Sequence, residues 1–164
     1  VTGASGVDIA AGGSVNGGSG TLLVSGDWSN AGSFIPGSST VTFNDACTSD
    51  PITIAGTSVF NNLTLTGAGG VFVLPEGSFL TVNGTLTLLG APGQPIQLVS
   101  SGSGTAVVSL GPGAQVVQSN ATIAGNVRIG AAITNIPTLG AWSTIALAML
   151  LGFVALTRRR NIRI

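Results

Sequence analysis

The sequence predicts an all-β body over residues 1–130, a right-handed parallel β-helix (β-solenoid) of about five coils, followed by one C-terminal transmembrane α-helix over residues 139–157. Three observations carry this prediction. Short alternating apolar triplets recur about every 22 residues, turn residues separate them, and one long uncharged apolar run lies near the end.

The first twenty residues are rich in Gly, Ser and Ala, with Val7, Ile9 and Val15 as the only apolar anchors beyond Val1. They suit an imperfect first coil or a loose cap. The clear repeat follows in Val41-Thr42-Phe43, Leu63-Thr64-Leu65, Leu86-Thr87-Leu88 and Val108-Ser109-Leu110, whose central residues stand 22, 23 and 22 positions apart. Val127-Arg128-Ile129 extends the series after 19. A second series interleaves with it: Ile52-Thr53-Ile54, Phe72-Val73-Leu74, Ile96-Gln97-Leu98 and Val116-Val117-Gln118. Each triplet has the period-two alternation of a strand with one buried face. Between them lie Gly67-Ala68-Gly69-Gly70, Pro75-Glu76-Gly77, Asn83-Gly84, Gly90-Ala91-Pro92-Gly93 and Gly111-Pro112-Gly113. Such short strands, repeated at a near-constant interval, are what each coil of a parallel solenoid requires. One coil cannot bury its apolar face alone, and stacked coils make a continuous core. An antiparallel β-sandwich followed by the same helix is the alternative, because Asn83-Gly84 between Leu80-Thr81-Val82 and Leu86-Thr87-Leu88 is a hairpin signal.

The composition narrows the chemistry. The chain has no His and no Tyr, all five of its basic residues are arginines, and Gly numbers 26 of 164 residues. Without His or Lys, Ser-His-Asp and Cys-His catalysis, histidine metal sites and Schiff-base chemistry are excluded. Residues 1–133 carry Arg128 against Asp8, Asp27, Asp45, Asp50 and Glu76, a balance of 1 − 5 = −4, which argues against nucleic acid as a partner. Asp45 and Asp50 flank Cys47 in one expected loop, but two carboxylates without calcium-loop spacing do not make a metal site. Cys47 has no partner for an intrachain disulfide and is expected to be a small, half-buried side chain. Trp28 and Phe34 are the aromatics nearest a surface turn, with edge or end packing as the plainer expectation. Catalytic, cofactor and metal residues are therefore all expected to be none. Asn62-Leu63-Thr64, Asn83-Gly84-Thr85 and Asn120-Ala121-Thr122 match the glycosylation sequon, a frequent coincidence in a chain rich in Asn and Thr.

The tail is the most specific stretch. No charge falls between Arg128 and Arg158, and the run over residues 139–157 is about 19 residues, roughly 28 Å as a helix, which matches a bilayer core. Arg158, Arg159 and Arg160 follow it, so these arginines are expected on the cytoplasmic side and the body outside. Export with this topology requires a signal peptide, expected to have been removed or to lie upstream of Val1.

Ile136, Pro137, Thr138, Leu139 and Trp142, followed by a hydrophobic segment and then arginines, resemble the IPTL-CTERM protein-sorting domain of Gram-negative bacteria. The resemblance covers about residues 133–160, with Ser143 where the family usually has Gly. It implies recognition by a membrane transpeptidase of the exosortase type. It also divides the chain into a body (1–130), a linker with the sorting motif (131–138), the membrane helix (139–157) and a cytoplasmic basic tail (158–164). A plain membrane anchor without a processing enzyme is the simpler alternative, with Trp142 as an interfacial aromatic and Pro137 at the helix start. The Gly/Thr/Asn-rich body also resembles β-solenoid repeats of bacterial adhesin-like surface proteins.

The expected function is that of a non-enzymatic, exported structural or adhesive protein of the cell surface or extracellular matrix. Before processing it would be held at the inner membrane by its helix, and afterwards either retained or released. Its expected partners are the membrane, the processing enzyme, and further copies of itself or surface glycans. A secreted carbohydrate-binding or carbohydrate-active module on the same scaffold is the alternative; it needs facing acids beside an aromatic platform.

Overall fold

Alternation of apolar and polar residues becomes alternation of inward and outward side chains. The computed structural model describes residues 6–45 and 50–131, which form sixteen strands and, among the described residues, no helix. The first coil holds β1 (Val7–Ile9), β2 (Ser14–Asn16) and β3 (Thr21–Val24), and the second β4 (Trp28–Asn30), β5 (Ser33–Ile35) and β6 (Thr40–Asn44). The third is β7 (Ile52–Phe60) and β8 (Asn62–Thr66), and the fourth β9 (Val71–Leu74), β10 (Phe79–Val82) and β11 (Thr85–Leu89). The fifth is β12 (Ile96–Ser100), β13 (Ala106–Leu110) and β14 (Gln115–Ser119), after which β15 (Ala121–Ile123) and β16 (Val127–Ala131) begin another turn. Every pairing between these strands is parallel, and one sheet runs β3-β6-β8-β11-β14 across all five coils. The body is a parallel β-solenoid of about five coils.

Parallel pairing removes the sandwich alternative. Asn83-Gly84 turns a corner between two sheets: β10 pairs with β7 and β13, while β11 pairs with β8 and β14. Neither residue has the positive φ that a type I′ hairpin turn requires. Their N–H groups instead donate to the carbonyls of Phe60 and Asn61 in the coil below, at 3.0 and 2.7 Å. The early Gly/Ser-rich segment is a true first coil, since β1, β2 and β3 each pair with the second coil.

The inward rows are continuous. Val41, Leu63 and Leu86 stack in register, as do Phe43, Leu65 and Leu88, and all six are essentially inaccessible to solvent. Each such side chain contributes roughly 1.5–3 kcal/mol by leaving water. Turning the corner within β7 needs one special residue. Ile52 and Thr53 pair with β9, residues 54–56 with β4, and residues 57–60 with β10. Gly56 marks the transition with φ +87°, and a Cβ there would collide with the carbonyl oxygen of Asn30.

The 22-residue reading slips at the fifth coil. Leu86 is covered by Val116, not by Val108, which lies on Leu80 in another sheet. The extra length comes from the loops at residues 90–95 and 101–105, the first closed by an Ala91–Gln94 bridge. Two further triplets keep the expected sheet but shift by two: Leu98, not Ile96, stands on Phe72, and Gly130, not Arg128, stands on Ser109. A shift of two preserves which side chains face inward, so alternation alone cannot detect it. No described helix is long and apolar enough to cross a membrane, and the span expected over residues 139–157 lies outside the described residues.

Candidate functional site

The acids of the body are distributed along the solenoid, and several join one coil to the next. Asp27 Oδ1 accepts the N–H of Thr53 at 2.8 Å, Asp45 Oδ2 accepts that of Val71 at 3.0 Å, and Glu76 Oε1 accepts that of Gly104 at 2.5 Å. The separations are 26, 26 and 28 residues, about one coil each. Each carboxylate thus satisfies a main-chain donor where the chain enters or leaves a strand, a charge-assisted bond stronger than a neutral one. Asp8 is exposed on β1 and Asp50 is exposed before β7. Among the described residues, no group of three or more His, Cys, Asp or Glu converges. Cys47 lies outside the described residues, so the loop it shares with Asp45 and Asp50 is not placed.

Trp28 and Phe34 are not surface groups. Trp28 is wholly buried and meets Phe34 edge-on at 5.0 Å between ring centroids, Phe43 at 6.0 Å and Phe60 at 5.4 Å. Edge and tilted contacts place positive ring edges against negative faces. The indole N–H donates to Ser58 Oγ at 3.0 Å, and Asn30 Nδ2 donates to the same oxygen at 3.0 Å and to the Thr57 carbonyl at 2.9 Å. This polar group beneath the second and third coils was not read from the sequence. Its only signal was Trp at the start of a Trp-Ser-Asn strand, which period two turns inward at both ends. Two aromatics carried no expectation from the sequence: Phe60, buried in this cluster, and Phe79, 56% exposed on the outer face of β10.

Among the sequon asparagines, Asn62 is engaged across coils, since its Oδ1 accepts the N–H of Thr85 at 2.9 Å. Asn83 and Asn120 are exposed, and Asn120 has φ 48°, a left-handed conformation that Asn tolerates better than most residues.

The described residues therefore define a stacked β-solenoid in which Asp27, Asp45, Asn62 and Glu76 bond to the backbone of the next coil. The distinctive functional feature lies beyond them: residues 134–161 match the IPTL-CTERM motif. Ile136, Pro137, Thr138, Leu139 and Trp142, with Arg158, Arg159 and Arg160, all fall inside that match and outside the described residues. The motif is that of a C-terminal sorting signal, and it points to an exported protein associated with the cell envelope. No curated protein and no solved structure matches the chain.

Proposed function

We propose that this chain is a non-enzymatic structural or adhesive protein of the bacterial surface, exported and then processed at residues 136–142 by an exosortase-like transpeptidase. One observation carries the reading: the IPTL-CTERM match spans the short motif, the uncharged run and the arginine cluster in a single block. That order suits a signal read at the non-cytoplasmic face of the inner membrane, with a membrane helix behind it and a cytoplasmic stop. Before processing, the helix over residues 139–157 anchors the protein in the inner membrane. The body needs no reaction of its own in this role. Support for a non-enzymatic body comes from its acids: Asp27, Asp45 and Glu76 are engaged in bonds between coils. Burial of Trp28 and Phe34 also takes away the two aromatics nearest a turn, and leaves Phe79 as the exposed ring among the described residues, a single ring where the carbohydrate-active alternative needs a platform.

Mass spectrometry of the mature protein from a host with the cognate processing enzyme tests this reading. A new C-terminus within residues 136–142 is expected. A surface protein that retains Ile164 would reduce the tail to a plain membrane anchor.

A further inference from the structure

The five-stranded sheet presents a different outer surface from the rest of the solenoid. None of its strands, β3, β6, β8, β11 or β14, contains a charged residue. On the outward side of its three central strands stand Thr40, Thr42 and Asn44, then Asn62, Thr64 and Thr66, then Thr85, Thr87 and Leu89. All but Leu89 are Thr or Asn. The register aligns Thr42, Thr64 and Thr87 in one row across the strands, and Thr40, Asn62 and Thr85 in the next. Leu23 and Val117 extend the first row with apolar side chains, and Thr21 and Gln115 extend the second with neutral polar ones.

Generic solubility or strand propensity would distribute such residues over all outer faces, and the structure does not. The outward rows on the neighbouring sheet are Thr57, Phe79, Val107 and Arg128, and Val59, Thr81, Ser109 and Gly130, and a row on a further sheet is Thr53, Val73 and Val99. Single hydroxyls occur in those rows, but two adjacent unbroken rows of Thr and Asn across three strands occur on the one face. The grid is also regular, because rows repeat at the strand spacing of about 4.8 Å and alternate residues along a strand lie about 6.6 Å apart. Thr is stiff at χ1, so its hydroxyl and methyl are held in place before any ligand arrives. Asn62 ties two strands together through its bond to Thr85.

An uncharged, regularly spaced lattice of hydroxyls and methyls complements a partner that is itself uncharged and periodic. Oxygens joined tetrahedrally by O–H···O bonds of about 2.75 Å lie about 4.5 Å from their second neighbours along one axis and repeat at about 7.3 Å along a perpendicular one. Both repeats fall within about 0.7 Å of the grid's own spacings. A crystalline polysaccharide is also neutral and periodic, but sugar faces are held by stacking on aromatic rings. The outer side of these five strands carries none. We propose that the outward face of β6, β8 and β11, centred on Thr64, is an ice-binding surface.

The proposal deepens the surface-display reading by naming what the displayed body holds. It rests on that reading only for attachment to a cell, so failure of tail processing and failure of ice binding are separate results. The test uses the full purified chain in detergent micelles, with partition into a slowly growing ice front and the shape of single ice crystals as readouts. The wild-type chain is expected to enter the ice and to facet the crystals. Thr64→Lys places a charge at the centre of the grid, and Thr87→Tyr interrupts its row with a bulky ring without charge. Each is expected to lose partition to the level of a non-binding protein while keeping its circular dichroism and unfolding midpoint. Gln97→Lys, an exposed outward change on β12, is expected to partition as wild type does. Exclusion of the wild-type chain from ice overturns the proposal, whatever the variants do. So does equal partition by wild type and a folded Thr64→Lys. Retention on crystalline cellulose or chitin, or dimerisation lost in Thr64→Lys, each without entry into ice, overturns it in favour of a glycan or of a second copy of this chain.

Discussion

Ser58 is a small residue with a large role, because its buried hydroxyl accepts both the indole N–H of Trp28 and the amide of Asn30. Removing it leaves buried donors unpaired, and an unpaired buried donor costs about 1–3 kcal/mol. Ser58→Ala should therefore lower the urea unfolding free energy by about that amount, whereas Ser29→Ala on the exposed side of β4 should change it by less than about 0.5 kcal/mol. Gly56 makes a different kind of demand. Its φ of +87° and the nearby Asn30 carbonyl leave no room for a side chain. Gly56→Ala should destabilise by about 1–3 kcal/mol through backbone strain and steric displacement. A thermal melt within error of wild type would show that β7 does not need its corner there. Neither role is written in the local sequence. Alternation from Ile52 through Phe60 keeps the even-numbered positions inward, Ser58 among them, but nothing local names its partners Trp28 and Asn30 in the preceding coil, and Gly56 reads as a flexible link.

At the level of strands, the same side-chain chemistry should carry different weight by position. Leu86 sits between Leu63 and Val116 in the inward row and is 1% exposed, whereas Val116 lies on β14, the last strand of its sheet among the described residues, and is 43% exposed. Leu86→Ala should cost about 2–5 kcal/mol, as a cavity in a packed row does. Val116→Ala should cost less than about 1 kcal/mol, because nearly half of that side chain is already in water in the folded chain and its loss leaves no closed cavity. Equal losses in chemical denaturation would mean that the end of the row is covered as fully as its middle. The triplets that define β6, β8 and β11 were legible because their connecting turns vary little in length. The fifth coil was misread because its loops at residues 90–95 and 101–105 are longer, and a fixed interval then assigns Val108 to the wrong sheet. The hairpin signal at Asn83-Gly84 misleads for a related reason. The same dipeptide suits any tight corner, and only the neighbouring coil decides whether the chain reverses.

For the whole molecule, the body and the tail answer to different physics. Each coil is held by its neighbours through parallel ladders and through side chains such as Asp27, Asn62 and Glu76 that reach one coil onward. The tail is read as an address, so its proposed role should be sensitive to changes that leave the solenoid untouched. Replacing Arg158, Arg159 and Arg160 with Gln should reduce the fraction of chains with the body outside, measured by protease access in intact cells, with no change in the body's unfolding. Unchanged orientation would place the topology signal elsewhere. The sequence by itself determined what depends on order along the chain: an all-β repeat from alternation and spacing, a body without histidine or lysine chemistry, and an IPTL-CTERM sorting signal in the last thirty residues or so. Tertiary structure decided what depends on neighbours across coils: the register of the fifth coil, the burial of Trp28 and Phe34, the bridging use of the acids, and the gathering of Thr40, Thr42, Thr64, Thr66, Thr85 and Thr87 on one face. The reason is that a strand's period of two states which side chains alternate, while loop lengths between strands state which residues meet, and that sum closes only when the coils stack.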